Sequence, residues 1–201
     1  SGGGVDTNLP SKDAYVRSLN RCCRDAEIAS STISYLETHG SGRPAEDDLE
    51  SAALHKFMEN QNAACAIGYV KANVGHAGAA AALASVVKTG LSLYHEIIPP
   101  LINFTEPGNS IWHQDKFHFP VYPQYWLRNR KDGARNAMVG SMTSDGNCMH
   151  VILAGLDYET EHGADTGVVQ KIRQERKRPQ GLQPLGLFAV EGQSQKSLLS
   201  G

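Results

Sequence analysis

Two stretches of the sequence decide the fold: YLETHGSG at residues 35–42 and VKANVGH at residues 70–76. Each lies at the end of a short run of apolar residues that is typical of a buried strand. Each also places an imidazole beside a glycine, His39 before Gly40 and His76 after Gly75. Imidazoles just beyond strand ends are suited to acid–base chemistry or to stabilising an oxyanion. We therefore expect one active site that is assembled from two loops.

The composition excludes several classes of protein. The chain has 201 residues, of which 40% are hydrophobic and 20% are charged, as is usual for a globular domain. A formal net charge of −2 gives no reason to expect nucleic acid or an anionic membrane as a partner. No apolar run approaches the roughly 20 residues that span a bilayer, and residues 1–4 do not resemble a signal peptide.

The four cysteines, Cys22, Cys23, Cys65 and Cys148, form no C-x-x-C pair. A reduced, cytoplasmic setting is the simplest interpretation of this pattern. The histidines do not follow the spacing of a zinc site, so no metal is expected.

Hydrophobic periodicity and turn residues predict an α/β chain. Helices are expected over 12–27 and 45–59, and strands over 31–38, 65–71, 137–142 and 149–154, with 101–104 extended. The alanine-rich run after His76 predicts a central, buried helix whose apolar stripe is Leu83, Val86, Val87, Leu91 and Tyr94.

The sequence changes character near residue 156. Residues 156–184 are polar and carry five basic residues between Lys171 and Arg178, which favours a solvated linker over a binding segment. Residues 185–190 are apolar and predict a strand that begins a new unit. The expected organisation is therefore a domain over 1–155, a linker over 156–184 and the start of another unit over 185–201.

Taken together, these motifs resemble the beta-ketoacyl synthases, the condensing domains of polyketide and fatty acid synthases. Residues 35–42 resemble the first histidine motif of that family, and residues 70–76 with the following helix resemble the second. Residues 98–107 and 146–153 are similar to the segments that follow, the latter to a glycine-rich loop and the final strand. The resemblance covers about residues 10–155, which is only the C-terminal part of a ketosynthase. The loop suggests an iterative synthase of the polyunsaturated-fatty-acid or glycolipid type.

This resemblance implies a thiolase-like layered α/β fold followed by a linker. It implies a homodimer and a partner in the N-terminal half of the ketosynthase. No cofactor would bind directly, because the acyl chains would arrive as phosphopantetheine thioesters on an acyl carrier protein. Neither nucleic acid nor a membrane is an expected partner.

The resemblance also assigns roles to individual residues. His39 and His76 would be the two active-site histidines, and Lys71 would organise charge and hydrogen bonds around them. Glu37 and Asn73 are candidate supporting residues. The residues themselves leave plainer alternatives open: His39 as a turn-capping histidine, Lys71 as an exposed strand-end lysine, and Glu37 in a structural role.

The glycine-rich loop departs from the family pattern. Ser144 stands where the family has a gating phenylalanine, and Asp145, followed by Gly146, replaces a glycine. The main-chain N–H of Ser144 would still supply half of an oxyanion hole. Nothing resembles the family's nucleophile motif, although Cys148 lies near the expected pocket. We therefore expect the nucleophile to lie upstream of Ser1, so that these residues alone would not condense substrates.

Three functions remain in competition. The first is the C-terminal part of a condensing ketosynthase, an acyltransferase. The second is a related subunit that does not condense, either a chain-length factor or a decarboxylase. The third is a structural dimerisation module. In each case part of a layered core would expose apolar surface, so poor solubility or dependence on a missing half is expected.

Overall fold

The structure is a computed structural model. It describes residues 11–61, 64–113, 115–129, 132–143 and 147–156, and the single residue Gly167. The chain divides into two units, Ser1–Asp157 and Tyr158–Gly201, and the fold described here is that of the first. The predicted linker over 156–184 and the predicted unit over 185–201 lie almost entirely outside the described residues.

In the described residues, helices and strands alternate in the first half of the chain, and strands joined by loops follow the helix that ends at His95. Their order is α1 (Lys12–Asp25), β1 (Ile33–Glu37), α2 (Pro44–Phe57), β2 (Cys65–Gly68), α3 (Lys71–Val74), α4 (Ala79–His95), β3 (Ile97–Ile98), β4 (Phe117–His118), β5 (Gln124–Tyr125), β6 (Asn136–Met142) and β7 (Cys148–Ala154), with short 3₁₀ turns at Ser30–Thr32 and Ser110–His113.

Five strands form a mixed sheet in the order β4-β2-β1-β6-β7. β1 pairs in parallel with both β2 and β6, and β2 pairs in parallel with β4. β7 returns antiparallel to β6. Since β1 and β2 run in the same direction, the loops that follow them leave from the same edge of the sheet.

Apolar side chains cover both faces of this sheet. On one face Leu36 and Met138 pack with residues of α1 and α2, including Leu19 and Leu54. On the other face a smaller cluster surrounds Leu93 of α4 and consists of Tyr35, Ala66, Leu93, Ile98, Trp126 and Ala137. The described part is thus layered, with helices on both sides of a sheet whose central strands β2, β1 and β6 are buried on both faces.

Two local predictions need correction. The second strand was expected to reach residue 71, but β2 ends at Gly68 and a one-turn helix begins at Lys71. The N–H groups of Asn73 and Val74 both bond to the carbonyl of Val70, which closes this turn. Residues 101–104 are not fully extended either, because the backbone turns at Asn103 with φ at 56°.

The prediction that the apolar stripe of α4 is buried was wrong. Leu83, Val87, Leu91 and Tyr94 are exposed, and Leu83 is 70% exposed. The buried positions of the helix are Ala81, Ser85, Thr89, Ser92 and Leu93, most of them small. Small side chains let α4 approach the sheet closely, and they leave the large apolar ones on the outer face. In the described residues, none of the helices is both long and apolar enough to cross a membrane.

Candidate active site

The two histidine motifs meet at one edge of the sheet. His39 lies two residues beyond β1, and His76 follows the short helix α3, which begins just after β2. The parallel pairing of Glu37 with Gly68 brings the two strand ends side by side. As a result the rings of His39 and His76 lie edge to face, with their centroids 5.9 Å apart. The structure therefore brings together the residues that the sequence predicted for one site.

The main chain holds the imidazole of His39 in one tautomer. Its Nδ1 accepts a hydrogen bond from the N–H of Met142 at 3.1 Å. Nδ1 is then the acceptor nitrogen, and the neutral ring carries its proton on Nε2. Burial and, secondarily, the charge of Lys71 lower the pKa of His39 to about 4. His39 is therefore a neutral Nε2–H donor at physiological pH.

His76 has the same arrangement in a more open position. Its Nδ1 accepts a hydrogen bond from the N–H of Gly78 at 3.3 Å, so its Nε2 also carries the proton when the ring is neutral. Gly78 has φ at 57°, a conformation that glycine adopts without strain, and it directly precedes α4. The His76 side chain is exposed in the structure. The site thus offers two Nε2–H donors, one buried and one open.

Lys71 connects the two motifs. Its Nζ donates to the carbonyl oxygen of His39 and lies 3.3 Å from Nδ1 of the same residue. Burial lowers the pKa of Lys71, although the carboxylates of Glu50 and Glu37 oppose the shift. Lys71 is therefore partly buried and hydrogen-bonded. It is not the exposed lysine at a strand end that the sequence left open as an alternative.

Glu50 of α2 holds the loop that carries His39, a role that the sequence analysis missed. Its two carboxylate oxygens accept hydrogen bonds from the N–H groups of His39 at 2.7 Å and Gly40 at 2.9 Å. Tyr15 of α1 donates its hydroxyl to the same carboxylate at 2.7 Å. Glu50 is only 2% exposed. The sequence does place Glu50 on the apolar face of the predicted helix, beside Ala53 and Leu54. That position could have indicated a buried glutamate.

Glu46 is a second residue that the sequence analysis did not place in the site. It lies in the first turn of α2, where an acidic residue is also favoured by the helix dipole. Its Oε2 is 3.6 Å from Nε2 of His39, and its Oε1 is 3.2 Å from Nη1 of Arg43. Its neighbour Asp47 accepts from the N–H of Ser41 at 3.1 Å, which fixes the turn after His39.

The remaining predicted site residues lie apart from the imidazoles or outside the described residues. Glu37 is buried, where it pairs with Nζ of Lys88 at 2.9 Å and accepts from Tyr35 Oη at 2.6 Å. These contacts favour its structural role, although its charge still reaches Lys71. Asn73 is exposed on α3. The loop residues Ser144, Asp145 and Gly146 are not among the described residues.

None of the four cysteines forms a disulfide with another, and all four are at least half-buried. Burial raises the pKa of Cys22 and of Cys65, and it raises that of Cys23 to about 11. Cys148 is buried near the carbonyl of Ala14. A thiol with a raised pKa holds little thiolate and is a poor nucleophile at neutral pH.

Comparisons with known proteins identify the class to which this fold and this pair of histidines belong. A family model described as "Beta-ketoacyl synthase, C-terminal domain" matches residues 2–105. The chain is 36% identical over 148 residues to the lovastatin diketide synthase mokB of Monascus pilosus. It is 32% identical over 164 residues to the polyketide synthase PksN of Bacillus subtilis. The chain belongs to the beta-ketoacyl synthase family.

The solved structures agree on the fold. The ketosynthase from module 6 of the bacillaene synthase of Bacillus subtilis superposes with a TM-score of 0.68 at 28% sequence identity, over 77% of this chain. The predicted thiolase-like α/β fold is therefore confirmed. The chain spans 28% of that ketosynthase, 6% of mokB and 3% of PksN. It thus corresponds to a C-terminal part of a ketosynthase.

Proposed function

We propose that this chain supplies the two-histidine part of a site for decarboxylative condensation. The observation that carries the proposal is the matched pair of tautomers. His39 and His76 each use Nδ1 to accept a main-chain N–H, from Met142 and from Gly78. Each ring can therefore present Nε2–H to the same small region. Two fixed donors that converge are what a developing oxyanion requires.

The proposed reaction begins with a malonyl-type thioester. Its carbonyl oxygen accepts from Nε2–H of His39 and of His76, which stabilises the enolate that forms when the carbon–carboxylate bond breaks and CO2 leaves. The enolate carbon then attacks the carbonyl of an acyl group held as a thioester on an enzyme cysteine. A new carbon–carbon bond forms, and the thiolate leaves. Lys71, bonded to the carbonyl of His39, keeps the first imidazole neutral and in place.

The nucleophile in this proposal comes from a segment other than the 201 residues. Support comes from the four cysteines, which are all at least half-buried, three of them with a pKa above the ordinary value. The burial and raised pKa values of these cysteines also support a second candidate function. In that case the chain is part of a subunit that decarboxylates or sets chain length without condensing. The two candidates differ in whether an acyl thioester forms on the assembled protein.

The first partner in the proposal is the N-terminal half of the ketosynthase. The outer face of α4 supports it, because Leu83, Val87 and Leu91 are all more than half exposed. A stripe of this kind on a helix at the active-site edge marks an interaction surface. We further propose an acyl carrier protein with a phosphopantetheine arm as the substrate carrier, a homodimeric assembly and a cytoplasmic setting. The lack of disulfides among the four cysteines is consistent with that setting.

Decarboxylation assays test the proposed chemistry. The chain is co-expressed with a ketosynthase N-terminal half, and CO2 release from a malonyl thioester is measured. His39→Ala and His76→Ala should each reduce the rate by about 100-fold or more, the usual loss for one oxyanion donor. His118→Ala, which removes an exposed histidine on β4, is the matched control. Decarboxylation that survives both active-site substitutions, with assembly intact, would leave only the structural dimerisation module.

Association assays test the proposed partner. Leu83→Lys and Val87→Lys should prevent co-purification of the N-terminal half, because each places a charge on the exposed stripe. Val121→Lys makes the same kind of change at a half-exposed valine outside α4 and serves as the control. Unchanged co-purification of the two α4 variants would show that α4 is not the contact surface.

A further inference from the structure

Glu46 lies against the nitrogen of His39 that would face a substrate. Its carboxylate Oε2 is 3.6 Å from Nε2 of His39, which exceeds a hydrogen bond but lies within the range of an ion pair. Both side chains are almost fully buried, at 5% exposure for His39 and 10% for Glu46. Nδ1 of the ring already accepts the N–H of Met142. The one N–H of the neutral imidazole therefore points towards a carboxylate.

That carboxylate is ionised and tethered. Burial alone would raise the pKa of Glu46, but hydrogen bonds from Ser41 and Arg43, and the charge of Arg43, outweigh it and leave the pKa below its usual value. Arg43 holds Oε1 through Nη1 at 3.2 Å, while its own side chain is 73% exposed. Glu46 thus lies between the buried imidazole of His39 and an arginine at the surface.

We propose that Glu46 is a positioning residue that competes with the substrate's thioester oxygen for the Nε2–H of His39. The inference rests on the proposed function, in which that N–H meets the thioester carbonyl. While Glu46 occupies its observed position, an oxygen cannot approach Nε2 without meeting a carboxylate oxygen. Its negative charge also opposes the charge that develops on an enolate oxygen. Substrate binding must therefore displace Glu46, and the cost of the displacement lowers affinity.

Two substitutions separate this role from a general effect of charge on the helix. Glu46→Gln removes the negative charge while keeping the size and shape of the side chain. Asp48→Asn removes the same charge from the same turn of α2, where the carboxylate is exposed and accepts from Asn109 rather than facing His39. Thermal melts of both variants establish that each is folded before either is compared.

The first readout does not depend on catalysis. Nitrogen-15 NMR of the histidine rings, on the chain assembled with a ketosynthase N-terminal half, follows Nε2–H of His39 at pH 7. Glu46→Gln should move the Nε2 resonance and accelerate exchange of its proton with solvent, and Asp48→Asn should do neither. His39 signals that are identical in the wild type and in Glu46→Gln would overturn the proposal.

The second readout is substrate affinity, measured as the Kd of a malonyl thioester analogue that cannot be cleaved and as the KM of malonyl thioester. Glu46→Gln should lower both values about three- to tenfold, which corresponds to about 0.6–1.4 kcal/mol, without lowering kcat. An unchanged or raised Kd would overturn the competition. A different result would overturn the proposed function itself: a decarboxylation rate that does not change in His39→Ala.

Discussion

At the scale of single residues, the site depends on a carboxylate that takes no part in the proposed chemistry. Glu50 accepts three hydrogen bonds, from the main-chain N–H groups of His39 and Gly40 and from the hydroxyl of Tyr15. A buried anion is tolerated only when such donors surround it. Helix α2 therefore does more than cover the sheet, because it fixes the conformation of the first histidine loop.

Replacing Glu50 with alanine should destabilise the protein strongly. The change leaves two main-chain N–H groups and one hydroxyl buried without their acceptor, so the free energy of unfolding should fall by about 3–5 kcal/mol. Urea unfolding followed by circular dichroism measures it. Tyr15→Phe removes only one of the three bonds and should cost about 1 kcal/mol. Equal losses in the two variants would contradict the central role given to Glu50.

Replacing Lys71 with methionine should raise the pKa of His39. The charge of Lys71 helps to depress that pKa to about 4, after the larger effect of burial, and methionine removes the charge while keeping the length of the side chain. A carbon-13 NMR titration of the His39 ring would report the shift. Lys56→Met, a change on the exposed side of α2, should leave the titration unchanged. A pKa that falls in Lys71→Met would refute this account.

At the scale of elements, Gly68 allows β1 and β2 to end side by side. A Cβ at this position would lie 2.6 Å from Oε2 of Glu37 and would also collide with the hydroxyl of Tyr35. Those two groups form a buried network with Lys88 of α4. The absence of a side chain at the end of β2 thus gives this network its space, next to the active-site edge.

Gly68→Ala should therefore destabilise the fold by about 1–3 kcal/mol, the usual cost of overpacking a filled site. Gly90→Ala is a matched control in α4, because a Cβ there meets no atom within 4 Å. That control should stabilise the protein by up to about 1 kcal/mol, since alanine favours a helix more than glycine does. Thermal denaturation distinguishes the two, and a neutral Gly68→Ala would show that the network can move aside.

The sequence predicted the order of helices and strands well, but not what surrounds them. The alternation of apolar runs located β1, β6 and β7, and the histidine motifs predicted that His39 and His76 would meet. Periodicity shows that two faces of a helix differ, yet it does not show which face meets the sheet. In α4 the small residues meet the sheet, so the prediction of a buried Leu83 stripe was wrong.

The missed site residues share one physical cause. Glu46 and Glu50 approach His39 only because α2 folds back along the strand that precedes it, and local sequence patterns do not reveal such contacts. The local sequence accounts for Glu46 by its place in the first turn of a helix, where negative charge is favourable, without any contact to His39. Motifs in the local sequence do not predict side-chain contacts that depend on tertiary packing.

At the scale of the whole molecule, two histidines with depressed pKa values couple stability to pH. Burial lowers the pKa of His39 to about 4 and that of His150, whose ring packs on Tyr15, to about 3. Between these values and the ordinary pKa of about 6.5, the unfolded chain binds more protons than the folded one. Their contribution to stability is therefore complete above about pH 6.5 and is lost as the pH falls towards 3–4.

The two histidines should make the free energy of unfolding fall as the pH drops from 6.5 to 4, by about 1.4 kcal/mol for each unit of pKa difference. Burial raises the pKa of Glu50 and of Asp47, so these two carboxyls oppose that fall. Urea unfolding at a series of pH values measures the slope. His150→Gln should shift the slope towards that of the carboxyls, while His118→Gln, an exposed control, should not. Equal slopes in His150→Gln and the wild type would contradict the assignment of His150 as neutral.

The hydrogen bonds that select the tautomers of His39 and His76 also bear on how the sequence around the two histidines can change during evolution. Both acceptor nitrogens are matched by main-chain N–H groups, at Met142 and at Gly78, and Nζ of Lys71 also lies 3.3 Å from Nδ1 of His39. Among single substitutions, only proline removes a main-chain N–H. Most side chains around the imidazoles can therefore change over evolutionary time while the protonation pattern of the pair is inherited unchanged.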